Sequence, residues 1–345
     1  MSLSICCLTN APGERLASIL ERLRPVADEI VVGADCTVDE KRRREYATIA
    51  DTVLPIDFEF AERHLSWLAE QCSGDWILRV DDDEVPSPGL VERLPWLLAQ
   101  QIEQYWVPRR WLYPTPDRWL SELPWWPDYH NRLVRRNVDL RCSGVLHTGA
   151  DPVLPARFLE WPLYHLECVL KDRLSREAKV ARTEAMRPNL TAPGGGPLNE
   201  VYYVPERHAR RPQCAVPPED RAPIAQVFSP PAYAAIITPV EADRRFSPGE
   251  RRALHFRVHN SSSMAWLPDS DVRLSYRWIG RPGEGERTPF PAPVAPGETT
   301  IIPLTVTAPL EPGELELEVD LVHEHIRWFE TPLRVDAVVG TRRSS

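Results

Sequence analysis

Gly74-Asp75-Trp76-Ile77-Leu78-Arg79-Val80-Asp81-Asp82-Asp83-Glu84 is the stretch on which the fold turns. A Gly-Asp pair launches a short apolar run, four acids follow it, and Pro86 and Pro88 halt it, the pattern of a strand bounded by turn signals. In open α/β sheets ligand sites lie beyond the carboxyl ends of strands, so the acids are expected at such a site. In extended chain Asp81 and Asp83 point to one face. Two carboxylates there repel unless a cation joins them. A divalent ion does so and keeps open positions for a diphosphate. The competing reading is a solvated acidic turn capping a helix that begins near Pro88.

Outward from that strand the first hundred residues alternate between two periods. Leu3–Leu8 is a short apolar run closed by the turn Asn10-Ala11-Pro12-Gly13; Leu16, Ile19, Leu20 and Leu23 then fall at i, i+3, i+4 and i+7, a helical stripe. Ile30–Val32 and Thr52–Leu54 read as further strands. Phe60, His64, Trp67 and Leu68 form a second stripe and Leu90, Leu94, Leu97 and Leu98 a third. Alternating strands and helices predict a mostly parallel α/β sheet. From Tyr105 to Trp161 the pattern is irregular and aromatic, with Trp106, Trp111, Trp119, Trp125 and Trp126 as candidate ligand-stacking platforms or core. A helix is expected over Val169 to Met186, then a Pro-rich stretch to Pro231. Beyond it Ala253–Val258, Val272–Trp278, Thr299–Val306, Glu314–Val322 and Leu333–Val338, separated by Pro-Gly turns, predict an all-β sandwich of the immunoglobulin type. The expected domains are 1–212, a linker at 213–230, and 231–340.

Composition narrows the classes. The 345 residues carry a formal charge of −9, which argues against nucleic-acid binding, since phosphate neutralisation needs surplus cations. Thirty-six prolines exclude an all-helical architecture. No apolar run approaches about 18 residues, so no membrane span is expected, although peripheral membrane contact stays open. Seven cysteines without a C-x-x-C speak against a disulfide scaffold or zinc ribbon. The expectation is a cytoplasmic protein.

The order of motifs resembles the family 2 glycosyltransferases of GT-A fold. Ser4-Ile5-Cys6-Cys7-Leu8-Thr9-Asn10 ends a strand, Glu29-Ile30-Val31-Val32-Gly33-Ala34-Asp35 ends a second in an acid, and Gly74-Asp75-Trp76 introduces the Asp-x-Asp strand. The Asp-x-Asp-Glu form, with Glu84, is similar to the lipopolysaccharide-type branch. The family's Gly-Ser-Thr-Asp tail is replaced by Cys36-Thr37-Val38-Asp39. The resemblance covers about residues 3–185 and implies a mixed sheet flanked by helices and a metal-dependent, inverting transfer of a sugar. The donor would be a nucleotide-sugar, the acceptor the hydroxyl of a glycan or glycoconjugate, and the cofactor Mn²⁺ or Mg²⁺. Carried over by residue, it implies nucleotide contacts at Thr9, Asn10, Asp35, Asp81 and Asp82, and metal contacts at Asp83 with His147 or His165. Pro127–Arg136 resembles the acceptor-side segment, with Asp128 as general base and Glu122 in reserve. Flanking tryptophans are expected to raise the pKa of Asp128 toward useful basicity.

Three alternatives stay open. Asp81-x-Asp83-x-Val85 also fits a haloacid-dehalogenase phosphatase string, although that motif normally occupies a first strand and needs a lysine, and only Lys41, Lys171 and Lys179 exist. A GT-A-like nucleotidyltransferase would carry a glycine- and lysine-rich N-terminal loop, which is missing. A non-catalytic carbohydrate-binding or assembly protein with a degenerate transferase fold is the third.

Overall fold

In the computed structural model, β1 (Leu3–Thr9), β2 (Glu29–Asp35), β3 (Thr52–Ile56) and β4 (Trp76–Arg79) run parallel in the order β3-β2-β1-β4. The structure describes all residues except 58–60, 137–150, 209, 229–232, 269–270, 325–326 and 341–345. Two units divide the chain, residues 1–229 and 230–345. In the first, α1 (Gly13–Leu20) buries Leu16, Ile19 and Leu20, the stripe expected from its period. α2 (Glu40–Ala47) starts at Asp39, whose carboxylate accepts the Arg42 N–H at 2.8 Å. α3 (Leu65–Glu70) carries Trp67 and Leu68 of the second stripe; Phe60 lies outside the described residues.

The aromatic stretch read as irregular is sheet. After β5 (Glu84–Pro86) and α4 (Pro88–Leu98), the chain forms β6 (Gln104–Trp111), β7 (Arg118–Leu120), β8 (Asp128–Arg135), β9 (Ala156–Phe158) and β10 (Leu163–His165). β8 lies antiparallel between β4 and β6, and β10 parallel to β6 and antiparallel to β5. The described sheet, β3-β2-β1-β4-β8-β6-β10-β5 with β9 on β6, is therefore mixed: most pairings are parallel, as expected, and the antiparallel ones are those of β8 with β4 and β6 and of β5 with β10. These strands escape a hydropathy reading because they turn arginine, asparagine, histidine and tryptophan inward, which erases apolar alternation.

One irregularity matters later. Tyr105 pairs with Leu133 and Trp106 with Asn131, so Arg132 is the extra residue of a β-bulge on β8. A bulge bends a strand and re-aims a side chain. Here four successive residues, Asn131 to Val134, are buried.

The helix expected over 169–186 is two helices, α5 (Glu167–Leu170) and α6 (Arg173–Met186), separated where Asp172 caps α6 by accepting the Ser175 N–H at 2.7 Å. After α7 (Leu198–Tyr203), the stretch expected as a linker carries β11 (Gln213–Ala215), which pairs with β7, and α8 (Pro218–Ala225). Val216, Ile224 and Val227 join the core of the first unit. Its prolines start a helix rather than loosen the chain, since proline is preset for a first helical turn. Among the described residues no helix is long and apolar enough to cross a membrane.

The second unit is all strand. β12 (Ala235–Pro239), β13 (Arg245–Phe246), β14 (Arg251–Asn260), β15 (Val272–Trp278), β16 (Thr288–Pro289), β17 (Thr299–Thr307), β18 (Gly313–His323), β19 (Arg327–Trp328) and β20 (Leu333–Val339) make two sheets. Their orders are β12-β14-β17 and β13-β20-β18-β15-β16, with β19 on β18. Phe256, Val258, Ile302, Leu304, Leu317, Val319 and Leu321 share one core, each strand contributing every second residue. Two of the Pro-Gly turns place Gly249 and Gly297 at φ of +71° and +82°, which a glycine adopts without strain.

Two expectations follow. A Cβ at Gly74 would stand 2.7 Å from Ser4 N and 2.8 Å from Ser4 Oγ, at the close approach of β4 to β1. Gly74→Ala is expected to cost about 1–3 kcal/mol, read from urea unfolding of the first unit. In the second unit, burial pushes the Asp320 carboxyl up to about 6, although it accepts the N–H groups of Leu321 and Glu330. The native state then holds a proton that the unfolded chain has lost between pH about 4 and 6. The contribution of Asp320 to the stability of this unit is thus largest below about pH 4 and falls as pH rises through that window, opposite in sign to that of Glu318, which its arginine partners hold low. Asp320→Asn should flatten this part of the pH dependence of the urea midpoint; an unchanged slope would refute the assignment.

Candidate active site

The four acids do not alternate. β4 ends at Arg79 and residues 81–84 turn. The Glu84 N–H donates to the Asp81 carbonyl at 3.0 Å, and the Asp81 N–H to Glu84 Oε2 at 3.1 Å. The carboxylates therefore leave in three directions, which corrects the expectation that Asp81 and Asp83 share a face. Asp82 accepts from Thr9 Oγ1 at 2.7 Å, at the end of β1. Asp83 Oδ2 lies 3.3 Å from His165 Nε2 on β10, and the Asp83 carbonyl accepts the Leu166 N–H at 2.8 Å. Asp81 meets Arg132 of β8, at 3.2 Å for Nη1 and 2.5 Å for Nη2, with Arg79 Nε 3.8 Å away. The acids do not cap α4 either: Ser87 does, accepting the Leu90 N–H at 3.2 Å.

Beneath the turn lies a buried ion cluster. Arg132 Nη2 also donates to Glu84 Oε1, and both side chains are wholly buried. Arg109 of β6 stands 3.5 Å from the same oxygen and reaches Asp128 Oδ2 at 2.9 Å through Nε and 2.8 Å through Nη2. Trp111 Nε1 donates to that Oδ2 at 2.8 Å, and His130 Nε2 lies 3.1 Å from Asp128 Oδ1. Strand register makes these meetings. Arg109 and Asp128 are direct cross-strand partners, and His165 sits in register with Trp111 on one side and Glu84 on the other.

Burial and charge divide the carboxyls. Burial, then the charge of Asp81, pushes Glu84 well above the usual carboxylate range. Burial and the adjacent Asp83 push Asp82 up to about 6. For Asp83 burial works upward, but His165, Lys179 and Lys171 outweigh it and hold the group well below its ordinary value. For Asp128 burial also works upward, and Arg109, His130 and the Trp111 N–H outweigh it. The expected rise at Asp128 is thus reversed: the tryptophan beside it donates a hydrogen bond and Arg109 supplies a cation.

The remaining expected residues scatter. Asp35, at the end of β2, is nearly buried and accepts the Thr37 N–H at 2.8 Å and the Thr37 hydroxyl. Asn10 is exposed beside Thr9, and its carbonyl accepts from Arg42 Nη1 at 3.2 Å; Arg43 Nη2 donates to the Cys36 carbonyl at 3.1 Å. The arginine run thus ties α2 to the loops after β1 and β2. Glu122 is exposed, and among the described residues no ion pair joins it to the cluster. Trp111, Trp119 and Trp125 are core, whereas Trp106 and Trp126 are half-buried. His147 lies outside the described residues. Sequence reading missed Arg109, His130 and Arg132, and took Trp111 for a stacking platform or core rather than a donor to Asp128; their one signal is the spacing of two in Arg109-x-Trp111 and Asp128-x-His130-x-Arg132.

The donor set at Asp83 can be tested against a divalent ion. Among the described residues no group of three His, Cys, Asp or Glu side chains could hold a metal. Asp83 and His165 offer one oxygen and one nitrogen 3.3 Å apart, close to the separation of neighbouring ligands each about 2.1 Å from an ion. His165 Nδ1 is buried without a hydrogen-bond partner, so apart from Asp83 the ring is held by packing, including an edge contact with Trp111 at 4.1 Å between centroids. The pair fits an ion whose shell is completed by substrate phosphate and water rather than a dedicated protein cage.

No family model matches the chain, and no curated protein matches it in sequence. Its structural neighbours include glycosyltransferases. Staphylococcus aureus TarS 1–349 is 12% identical over 54% of this chain and 66% of that one, with a TM-score of 0.33. Glucosyl-3-phosphoglycerate synthase from Mycobacterium tuberculosis, in complex with Mn²⁺, UDP and phosphoglyceric acid, is 17% identical over 32% of this chain and 44% of that one, with a TM-score of 0.26. The chain thus spans less than two thirds of either transferase structure. A CARDB domain from Pyrococcus furiosus, in complex with di-metal ions, is 12% identical over 31% of this chain and 85% of that one, with a TM-score of 0.23.

Removing one partner from a wholly buried ion pair strands the other charge. Arg132→Met is expected to lower stability by about 3–5 kcal/mol in urea unfolding. The double variant Arg132→Met/Glu84→Gln should recover more than half of that loss. A double variant no better than the single would mean that Arg132 acts by packing, not charge.

Proposed function

We propose that the chain is a metal-dependent, inverting glycosyltransferase that moves a sugar from a nucleotide-diphosphate donor to a hydroxyl acceptor. The observation that carries this reading is the pairing of Asp83 with His165 at the carboxyl edge of the β3-β2-β1-β4 sheet, with Asp82 tied to Thr9 beside it. In this reading residues 1–229 have the GT-A arrangement and residues 230–345 form an immunoglobulin-like module that binds acceptor glycan or stabilises the enzyme. Thr9, Asn10 and Asp35, at the ends of β1 and β2, hold the nucleoside. Asp81 and Asp82 shape the edge where the diphosphate lies.

Asp83 and His165 would hold Mn²⁺ or Mg²⁺, and a bound ion there supplies Lewis-acid neutralisation of the departing diphosphate. The chain's own residues do the rest. Arg132 and Arg109 hold the carboxylate turn rigid from below, so the edge needs no reorganisation when charge develops. Trp111 sets the His165 ring by its edge contact. A phosphatase reading would need Asp81 as a free nucleophile, whereas Arg132 grips both its oxygens.

Asp83→Ala is expected to stay folded with a lowered urea midpoint, since the carboxylate that His165 and the lysines hold ionised is lost, and to lower sugar transfer on the order of a hundredfold or more. A thermal-shift screen of nucleotide-sugars with Mn²⁺ should find a donor that stabilises wild type by mass action and fails to stabilise Asp83→Ala. Full transfer by Asp83→Ala, or in excess EDTA, would overturn the reading.

A further inference from the structure

Asp128, the carboxylate expected to take the acceptor proton, is committed elsewhere. Its Oδ2 receives Arg109 and the Trp111 N–H, and only Oδ1 is left to meet His130. A carboxylate so held is a weak proton acceptor, because protonation would break two charge-assisted contacts. It is a good orienter. A carboxylate fixed on its far side and bonded to one ring nitrogen of a histidine sets the tautomer and leaves the other nitrogen with its lone pair outward.

His130 meets the remaining requirements. It stands two residues from Asp128 on β8, on the same face, and β8 is anchored at the bulge by Arg132. Its side chain is 27% exposed against 12% for Asp128, so of the two it is the more open to a ligand. Through Asp128, Arg109, Glu84 and Arg132 the ring belongs to the same ion network as Asp81. The charged groups around it are Asp128, Arg109 and Arg79.

We infer that His130 is the general base of the transfer and Asp128 its positioning residue. This rests on the glycosyltransferase reading above. Nε2–H donates to Asp128 Oδ1, and Nδ1 takes the proton of the acceptor hydroxyl. As that O–H bond breaks, the oxygen forms its bond to the anomeric carbon. The bond from that carbon to the diphosphate oxygen breaks, and its electron pair leaves with the nucleoside diphosphate. The imidazolium formed lies against the Asp128 carboxylate and later returns its proton to water. Burial, then Arg109, lowers the pKa of His130, which keeps the ring neutral and ready to accept a proton near pH 7.

The test is single-turnover transfer and nucleotide-sugar binding on the full chain, from pH 5 to 8, for wild type, His130→Gln and Asp128→Asn. Wild type is expected to lose transfer on an acid limb centred below about 6.5, the ordinary histidine value. His130→Gln should transfer about 10²–10⁴-fold more slowly, bind donor within about twofold of wild type, and lack that limb. Asp128→Asn should slow transfer and move the limb to lower pH, because the charge that supports the imidazolium is gone; a merely structural role would leave the limb in place. His130→Ala, partly rescued by added imidazole, gives a second check should His130→Gln misfold. Transfer by a folded His130→Gln at the wild-type rate, or an unchanged acid limb in it, overturns the assignment of His130 alone. A wild type that binds no nucleotide-sugar fails the transferase reading itself, and this inference with it.

Discussion

The pairing of Arg132 with Glu84, both wholly buried, is the constraint around which the first unit is arranged. A guanidinium and a carboxyl taken out of water lose hydration, and only close geometry with further partners offsets it. Asp81 supplies the second carboxylate for Arg132, and Arg109 the second cation for Glu84. The bulge in β8 aims Arg132 at both acids.

Once that pair is set, the directions of Asp82 and Asp83 follow. Glu84 holds the Asp81 N–H, Asp81 holds the Glu84 N–H, and the two residues between have nowhere to go but outward. One reaches β1 and the other β10. The four adjacent acids are thereby divided among three partners: Arg132 takes Asp81 and Glu84, Thr9 takes Asp82, and His165 takes Asp83. Asp83, beside His165, Lys179 and Lys171, is held ionised well below the ordinary carboxylate range. That is the state a cation or a phosphate-bound ion requires.

The second unit obeys a simpler rule. Its two sheets bury every second residue, and its buried carboxyls Glu318 and Asp320 lie on β18, Glu318 meeting Arg277 of β15 and Arg334 of β20, which are far more exposed. Nothing comparable to the carboxylate turn occurs among its described residues. Irregular backbone and buried charge coincide in the first unit, whereas the regular sheets of the second bury alternate apolar residues.

How much of this was readable in advance depended on whether a residue's role was local. The strand at Trp76–Arg79, the stripe of α1 and the alternating strands of the second unit follow from period and punctuation within about ten residues, and they were legible. So was the position of the acids beyond a strand end. The aromatic middle was not: β6, β8 and β10 owe their place to partners 20 to 80 residues away, and their inward arginines and histidines mimic a surface pattern. Nor could the sequence show that Asp128 meets Arg109 rather than a water-poor tryptophan wall, since that contact depends on cross-strand register. Periodicity is a property of one segment, whereas register, bulges and buried ion pairs are properties of two. Side chains on neighbouring strands acquire their charge state and their task only when the strands are paired.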